Sequence, residues 1–171
     1  IHIIPATGPD NADRKVATLI LAAVMEKPDL IISVFAGTPA FGLYKLLVDR
    51  AVSERVDFSH ARFIVFDELV RESGERPFYS SLRERLFEPL SVPAGNIVAF
   101  DPANDPRSEG KRISGWIDLA GIDIALLSVD SRGHIGFHAP GAPLDSRAGL
   151  IPVANRGRWG AGSAFSLGLA D

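Results

Sequence analysis

The sequence of 171 residues contains no cysteine. It therefore has no disulfide framework, no thiol nucleophile and no cysteine-ligated metal site, a composition typical of a cytoplasmic protein, and we expect that location. Long apolar runs are also absent: none approaches the ~18 residues that a membrane-spanning helix needs. The first residues do not resemble a signal peptide. We therefore expect no membrane partner.

Positive charge is not in excess either. The chain carries 18 Lys and Arg against 21 Asp and Glu, a net charge of −3, and it has no basic stripe with interleaved aromatic residues. This disfavours a nucleic-acid partner, whereas a small anionic ligand stays open because local loops decide that question. With 46% hydrophobic and 23% charged residues, the composition is that of a soluble protein with a core. We expect a single domain over residues 1–171.

Apolar strand-like runs alternate with amphipathic segments along the chain. Strands are predicted over 30–35, 62–66, 97–100 and 122–129, with a short β-prone run over 1–4. Helices are predicted from a cap at Asp10 or Asn11 to Lys27, and over 39–52, 78–90 and 108–119. This alternation predicts an α/β fold: an open, mainly parallel sheet with helices on both faces. Two more strands are predicted over 150–153 and 164–169. The chain stops directly after the last one, so the sheet is apparently truncated at its C-terminus.

The stretch richest in chemistry is a predicted buried strand, Ile122–Val129, and the loop that follows it. In open α/β sheets ligands bind beyond the carboxyl ends of the strands, so this loop is the candidate floor of a site. We expect His134, close to glycines in the loop, to belong to the site and His138 to lie on the surface. Arg147 either braces the loop or contacts a ligand.

A second candidate is the turn after the strand over 30–35. Thr38 is a good N-cap and Pro39 suits the first helical position. A strand, a turn of small residues and a capped helix N-terminus together favour a phosphate site built from backbone N–H groups. The alternative is an ordinary turn between strand and helix with no ligand.

A third candidate is the acidic pair Asp67-Glu68, which follows the strand over 62–66. Such a pair can act as a general base, bind a metal or cap a helix. From the residues alone, capping and solvation are the favoured alternative. The histidines lack the spacing of a metal site, so we expect no metal.

Three segments together resemble the superfamily of glucosamine-6-phosphate deaminases and 6-phosphogluconolactonases, closer to the deaminase branch. FAGTP (35–39) with GLYKLL (42–47) is similar to the family's TGSTP loop and GLYxxL helix, FDELV (66–70) to LDEYVG, and GHIGF (133–137) with PG (140–141) and LDSR (144–147) to DGHIAFNEPG and LxSR. The resemblance covers residues 1–154. Each motif alone is weak, but their shared order is specific.

The resemblance implies a Rossmann-like fold of the sugar-phosphate isomerase type, a small-molecule sugar phosphate as partner and no cofactor. The deaminases open an amino-sugar 6-phosphate, isomerise it from aldose to ketose and release ammonia. The implied catalytic residues are Asp67, as the base between C1 and C2, His134, in ring opening, and Glu68. The implied substrate and phosphate-binding residues are Ala36, Gly37, Thr38, Gly133 and Arg158.

The chain departs from the family pattern around the histidine. Arg132 stands where the family has an aspartate and Ala139 where it has a glutamate, although Asp130 could substitute for the first after a shift of two residues. Three functions therefore stay open: an active isomerase or deaminase, a non-catalytic sugar-phosphate-binding module, and a phosphosugar lactonase. The last is disfavoured because Leu69 replaces an arginine common in that branch. A homo-oligomer is also open, since an unfinished sheet edge can pair with a partner.

Overall fold

Two sheets, one parallel and one antiparallel, form the frame of this protein. The computed structural model describes residues 2–71, 73–153, 162–168 and 170. The helices are α1 (Pro9–Glu26), α2 (Thr38–Glu54), α3 (Pro77–Leu82) and α4 (Pro106–Ala120), with a π-helical turn over Arg83–Phe87 and a 3₁₀ turn over Ala94–Asn96. The strands are β1 (Ile31–Val34), β2 (Arg62–Val65), β3 (Asp67–Val70), β4 (Ile97–Val98), β5 (Ile124–Ala125), β6 (Gly149–Val153) and β7 (Gly162–Ser166).

The first sheet is parallel and has the order β4-β2-β1-β5. Strand β1 lies in its interior, pairing with β2 from Ile31 opposite Arg62 and with β5 from Ile32 opposite Ile124. All four residues of β1 are buried. Burial on both faces explains why this strand is a continuous apolar run instead of an alternating pattern.

Successive side chains of β1 and β2 point to opposite faces of the sheet, and each face has its own helices. Ile32 and Val34 pack with α1 and α2 in one core cluster, whereas Ile64 packs with Ile113 and Ile117 of α4 in another. The chain moves outward from β1 through β2 to β4, and then returns through α4 to β5 on the other side of β1. The switch in direction leaves a crevice at the carboxyl ends of β1 and β5, where ligands bind in folds of this type.

The second sheet is antiparallel and has the order β3-β7-β6. Strand β3 continues directly from β2 after Phe66 alone, whose N–H donates to Val34 O at 2.7 Å while its carbonyl accepts from Leu167 N at 2.8 Å. Phe66 therefore bonds to both sheets. The junction places Asp67, the first residue of β3, at the carboxyl end of the parallel sheet.

The predicted α/β fold, with an open parallel sheet flanked by helices, is confirmed. The antiparallel sheet was not foreseen, and it explains the strand near the end of the chain: β7 lies between β3 and β6 and needs no covering helix. The prediction of a strand at the start of the chain was wrong for the residues that the structure describes, since 2–6 form neither helix nor strand.

The prediction of a buried strand over Ile122–Val129 was also wrong in part. Only Ile124–Ala125 pairs, at the edge of the four parallel strands. Ile124 and Leu126 pack against the first core cluster, whereas Leu127 is exposed. An edge strand that is covered on one face alternates in burial. Among the described helices, none has the length and apolarity to cross a membrane.

The packing of α4 yields a stability prediction. Ile113 is fully buried against the sheet, whereas Leu119 on the same helix is 92% exposed. Ile113→Ala leaves a cavity and should lower the free energy of unfolding by about 2–5 kcal/mol. Leu119→Ala, as the matched control, should change it by less than about 0.5 kcal/mol. Urea unfolding measures both, and equal effects would contradict this packing.

Candidate active site

The site is built around Asp67, where the two sheets meet. Its side chain is 5% exposed. The backbone N–H of Ala36, in the turn after β1, hydrogen-bonds to the carboxylate, whereas Oδ1 has no hydrogen-bond partner among the described residues. An acidic side chain is therefore held at the crevice between strand ends with one oxygen uncommitted.

Burial is the main reason why the pKa of Asp67 is raised, to about 7. Desolvation disfavours the charged carboxylate, the neighbouring charge of Glu68 raises the pKa further, and the Ala36 N–H opposes both. The group consequently changes protonation state near neutral pH, which is the property expected of a general base or acid.

Glu68 points away from this crevice and caps helix α3. Its Oε1 accepts from the N–H groups of Leu69 (2.8 Å) and Phe78 (3.1 Å), and Oε2 accepts from Tyr79 N at 2.8 Å. Burial raises the pKa of Glu68, and the three N–H groups and Arg76 counteract that rise. Both oxygens are thus occupied by backbone donors. These contacts are the ones that the capping alternative predicts. They engage both oxygens of Glu68 with backbone donors of β3 and α3.

The turn over Ala36–Thr38 lies beside Asp67, and glycine at position 37 shapes it. Gly37 is the N-cap of α2 with φ of 134°, a conformation that L-residues rarely adopt, and its carbonyl accepts from Ala40 N at 3.0 Å. The expectation that Thr38 is the N-cap was wrong: the helix begins at Thr38, and no side chain caps it. The first N–H groups of α2 nevertheless end at the crevice, as a phosphate site requires.

Tyr44 supports this turn from within the core. The side chain is buried, and its hydroxyl donates to Phe35 O at 2.7 Å. Burial raises the pKa of Tyr44, and the charge of Asp67 adds to the rise, so the phenol stays protonated. Sequence reasoning missed this supporting role of Tyr44. The signal was a tyrosine on the buried face of a helix that follows a candidate phosphate turn.

The loop that carries His134 folds around Asp130. Asp130 Oδ1 accepts from the backbone N–H groups of Arg132 (2.8 Å) and His134 (2.9 Å) and lies 3.1 Å from His134 Nδ1. These contacts, with the His134 backbone N–H as the largest cause, lower the pKa of Asp130 well below its usual range. A carboxylate can only accept, so His134 donates from Nδ1 and its Nε2 is left as the basic nitrogen.

Gly136 brings this loop against Asp67. It has φ of +56°, and a Cβ at this position would lie 2.7 Å from Cε1 of Phe66 and 3.5 Å from Oδ2 of Asp67. Any larger residue would collide with the Phe66 ring. The Gly133 turn, closed by its N–H to Asp130 O at 2.9 Å, belongs to the same loop. The structure therefore brings together Ala36, Asp67 and the His134 loop.

The structure corrects the prediction for His138 and favours one of the two alternatives for Arg147. His138 is buried and not on the surface, because Nε2 lies 2.7 Å from Leu167 O. Arg147 donates to Asp118 Oδ1 (2.7 Å) and Ser114 O (3.2 Å) of helix α4, so it braces the loop. Arg158 lies outside the described residues. Within the described ranges, no group of three or more His, Asp or Glu side chains is placed to hold a metal.

Comparison with known sequences finds glucosamine-6-phosphate deaminases among the relatives of this chain. The chain is 30% identical over 155 residues to a glucosamine-6-phosphate deaminase of Clostridium botulinum, an alignment that covers 88% of this chain and 64% of the relative. It is 32% identical over 157 residues to one of Lachnoclostridium phytofermentans, covering 90% and 66%. The chain thus spans just under two thirds of these curated relatives. No protein-family model matches it.

Solved structures share the fold. A monomeric glucosamine-6-phosphate deaminase superposes with a TM-score of 0.90 at 22% identity, covering 99% of this chain and 76% of that one. A 6-phosphogluconolactonase of Thermotoga maritima gives 0.73 at 17% identity, covering 98% and 76%. Sequence and fold agree with the motifs around Gly37, Asp67 and His134, and the chain belongs to the superfamily of glucosamine-6-phosphate deaminases and 6-phosphogluconolactonases.

Proposed function

We propose that this chain is a sugar-phosphate isomerase and deaminase that acts on an amino-sugar 6-phosphate such as glucosamine 6-phosphate. The single observation that carries the proposal is the buried carboxylate of Asp67, which titrates near neutral pH in the crevice between the turn after β1 and the His134 loop. The relatives' names and the deaminase-like motifs agree with this chemistry.

Asp67 is the base of the isomerisation in this proposal. It removes the proton from C2 of the open-chain aldose while the C1 carbonyl oxygen gains a proton, which gives an enolamine. It then returns the first proton to C1 while the C2 amine loses one, which moves the double bond and leaves an imine at C2 and a hydroxyl at C1. Water then adds to the imine, which yields the ketose and ammonia. A base that removes a proton next to a carbonyl works best with a pKa near the operating pH, and burial gives Asp67 that property.

His134 and Asp130 perform the ring opening. The sugar ring opens when a proton leaves the C1 hydroxyl and another reaches the ring oxygen. His134 Nε2 is the acceptor, because Asp130 holds Nδ1 in its protonated form. Asp130 thus takes the role of the aspartate that Arg132 replaces, from a position four residues before the histidine.

The phosphate binds at the N-terminus of α2 in this proposal. Backbone N–H groups at the start of a helix and the helix dipole both favour an anion, and the Ala36–Thr38 turn presents them beside Asp67. We propose the backbone of Gly133 and the cation of Arg158 as further contacts. Glu68 is assigned a positioning role, since its oxygens hold α3.

A second candidate function is a sugar-phosphate-binding module without turnover. The observation that favours it is the replacement of the family glutamate by Ala139: among the hydrogen bonds of the described loop, Asp130 is the one carboxylate that contacts His134. A thermal-shift screen against sugar 6-phosphates, with each hit then assayed for consumption, separates the two functions. A hit that stabilises the protein and is recovered unchanged supports the binding module and contradicts the enzyme.

Removal of the base tests the mechanism directly. Asp67→Asn should lower the release of ammonia from glucosamine 6-phosphate by about 10³-fold or more, since the amide cannot accept the C2 proton. Stabilisation by the sugar phosphate in a thermal-shift assay should persist. Asp29→Asn, at an exposed site far along the chain, is the matched control. Full activity of Asp67→Asn would remove Asp67 from the mechanism.

The raised pKa of Asp67 predicts opposite pH effects on activity and stability. Activity should rise with pH through about 7, because only the ionised carboxylate is a base. Stability should fall from about pH 4 to 7: in that range the unfolded chain has released this proton, with a usual pKa of about 3.9, whereas the folded protein retains it. The loss amounts to as much as about 4 kcal/mol.

Asp67→Asn should abolish that contribution to the pH dependence. Its free energy of unfolding should therefore exceed that of the unmodified protein above pH 7 by a few kcal/mol and differ little below pH 4. Urea unfolding at a series of pH values measures the difference. A constant difference across the range would mean that Asp67 does not carry the raised pKa.

The assignment of Asp130 predicts a selective loss. Asp130→Ala removes the acceptor for His134 Nδ1 and should lower kcat by about 10- to 100-fold, the usual cost of losing such an orienting partner. Arg132→Ala removes an exposed guanidinium that lies 3.4 Å from the same aspartate and should leave kcat nearly unchanged. Equal losses in the two variants would argue that only the charge balance of the loop matters.

A further inference from the structure

His138 has an environment that the proposed chemistry does not use. It is 6% exposed although it lies in a loop of glycines and prolines that is otherwise half-buried or exposed. The family motif has an asparagine at this position. A buried imidazole must have its polar atoms satisfied, so its partners indicate why it is there.

The partners of His138 lie at the end of β7. Nε2 is 2.7 Å from the backbone carbonyl of Leu167 and 3.3 Å from the hydroxyl of Ser166. A carbonyl only accepts, so Nε2 carries the hydrogen and donates it. The ring edge of His138 also faces Phe66, with centroids 6.4 Å apart.

The same residues of β7 hold the strand that carries the base. Ser166 is the register partner of Asp67 in the β3–β7 pair, and Leu167 donates its N–H to Phe66 O at 2.8 Å. His138 is therefore hydrogen-bonded to the end of β7, the strand that pairs with the strand carrying Asp67. A single contact links the loop to the junction of the two sheets.

The bond also closes the part of the loop that covers Asp67. The backbones of Ile135 and His138 exchange hydrogen bonds of 3.1 and 2.9 Å, forming a tight turn around Gly136. Gly136 is the residue that lies against Phe66 and the Asp67 carboxylate. Phe137, next in the chain, stacks on Phe78 of α3. Two neighbouring side chains thus anchor the turn, one to β7 and one to α3.

We propose that His138 is a positioning residue whose Nε2–H bond to Leu167 O holds the Ile135–His138 turn over Asp67, so that the base stays shielded from water and His134 stays in reach of the same substrate. A direct role in proton transfer does not fit, because Nε2 is already committed to a carbonyl in a buried site. The consequence for catalysis rests on the proposed function, whereas the clamp itself rests on the contacts alone.

The first measurement uses the unmodified protein. Long-range ¹H–¹⁵N spectra of protein labelled at histidine distinguish the two neutral tautomers. We expect His138 as the Nε2–H tautomer, with that hydrogen protected from exchange with water. A solvent-exchanging imidazole, or the Nδ1–H tautomer, would overturn the proposal, and this result does not depend on any substrate or on whether variants fold.

The second measurement compares His138→Ala with His138→Gln, whose side-chain amide nitrogen reaches about as far as Nε2 and retains a donor for Leu167 O. The readout is the pKa of Asp67 from the ¹³C shift of its carboxylate. Release of the turn admits water, so this pKa should fall by about one pH unit or more in His138→Ala and stay near that of the unmodified protein in His138→Gln. His60→Ala, at an exposed histidine, is the control and should leave it unchanged.

Activity gives the corresponding catalytic readout. With glucosamine 6-phosphate, His138→Ala should lower kcat by about 10-fold or more with KM nearly unchanged, the pattern of lost orientation, and His138→Gln should restore it. A folded His138→Ala variant with the original Asp67 pKa would overturn the clamp. If the unmodified protein turns over no substrate, the proposed function fails while the tautomer and the Asp67 pKa still decide the clamp.

Discussion

The burial of one carboxylate at the junction of two sheets is the constraint on which the rest of this structure depends. Asp67 is the first residue of an antiparallel strand that starts where a parallel strand stops, with Phe66 bonded to both sheets. The parallel sheet supplies the crevice at its strand ends, and the antiparallel sheet supplies the strand that carries Asp67. Without the second sheet the aspartate would lie in an ordinary loop, with water around it and an ordinary pKa.

This arrangement costs stability and is held by contacts elsewhere. A desolvated acid near neutral pH weakens the fold, and such conflicts between stability and chemistry are common at functional sites. Two polar groups near it are hydrogen-bonded. Glu68 receives three backbone N–H groups, and the Tyr44 hydroxyl holds the carbonyl of Phe35. Asp67 Oδ1, in contrast, has no hydrogen-bond partner among the described residues.

Periodicity and turn residues were sufficient to predict the parallel sheet, its helices and the positions of the three site segments. They could not predict that Ile124–Ala125 lies at an edge, nor that β7 inserts between β3 and β6, because both depend on pairings between distant parts of the chain. The same limit applies to single residues. Nothing local distinguishes Glu68, which caps α3, from Asp67, which is buried at the crevice, since the difference arises from where α3 begins. His138 was misplaced on the surface because its partner is a backbone carbonyl 29 residues away.

In the proposed function, the site retains a carboxylate partner for His134 although that carboxylate has moved along the chain. A motif fixes spacing along the chain, whereas the chemistry requires only that a carboxylate reaches the imidazole nitrogen. The loop over Asp130–His134 meets that requirement through a tight turn, in which one carboxylate oxygen accepts two backbone N–H groups and faces His134 Nδ1. Because the turn that closes the loop also orients the histidine, loss of the aspartate two residues before His134 does not leave the ring without a partner. Ala139 has no such replacement among the hydrogen bonds of the described loop, so in the proposed mechanism Asp130 alone orients the imidazole during ring opening.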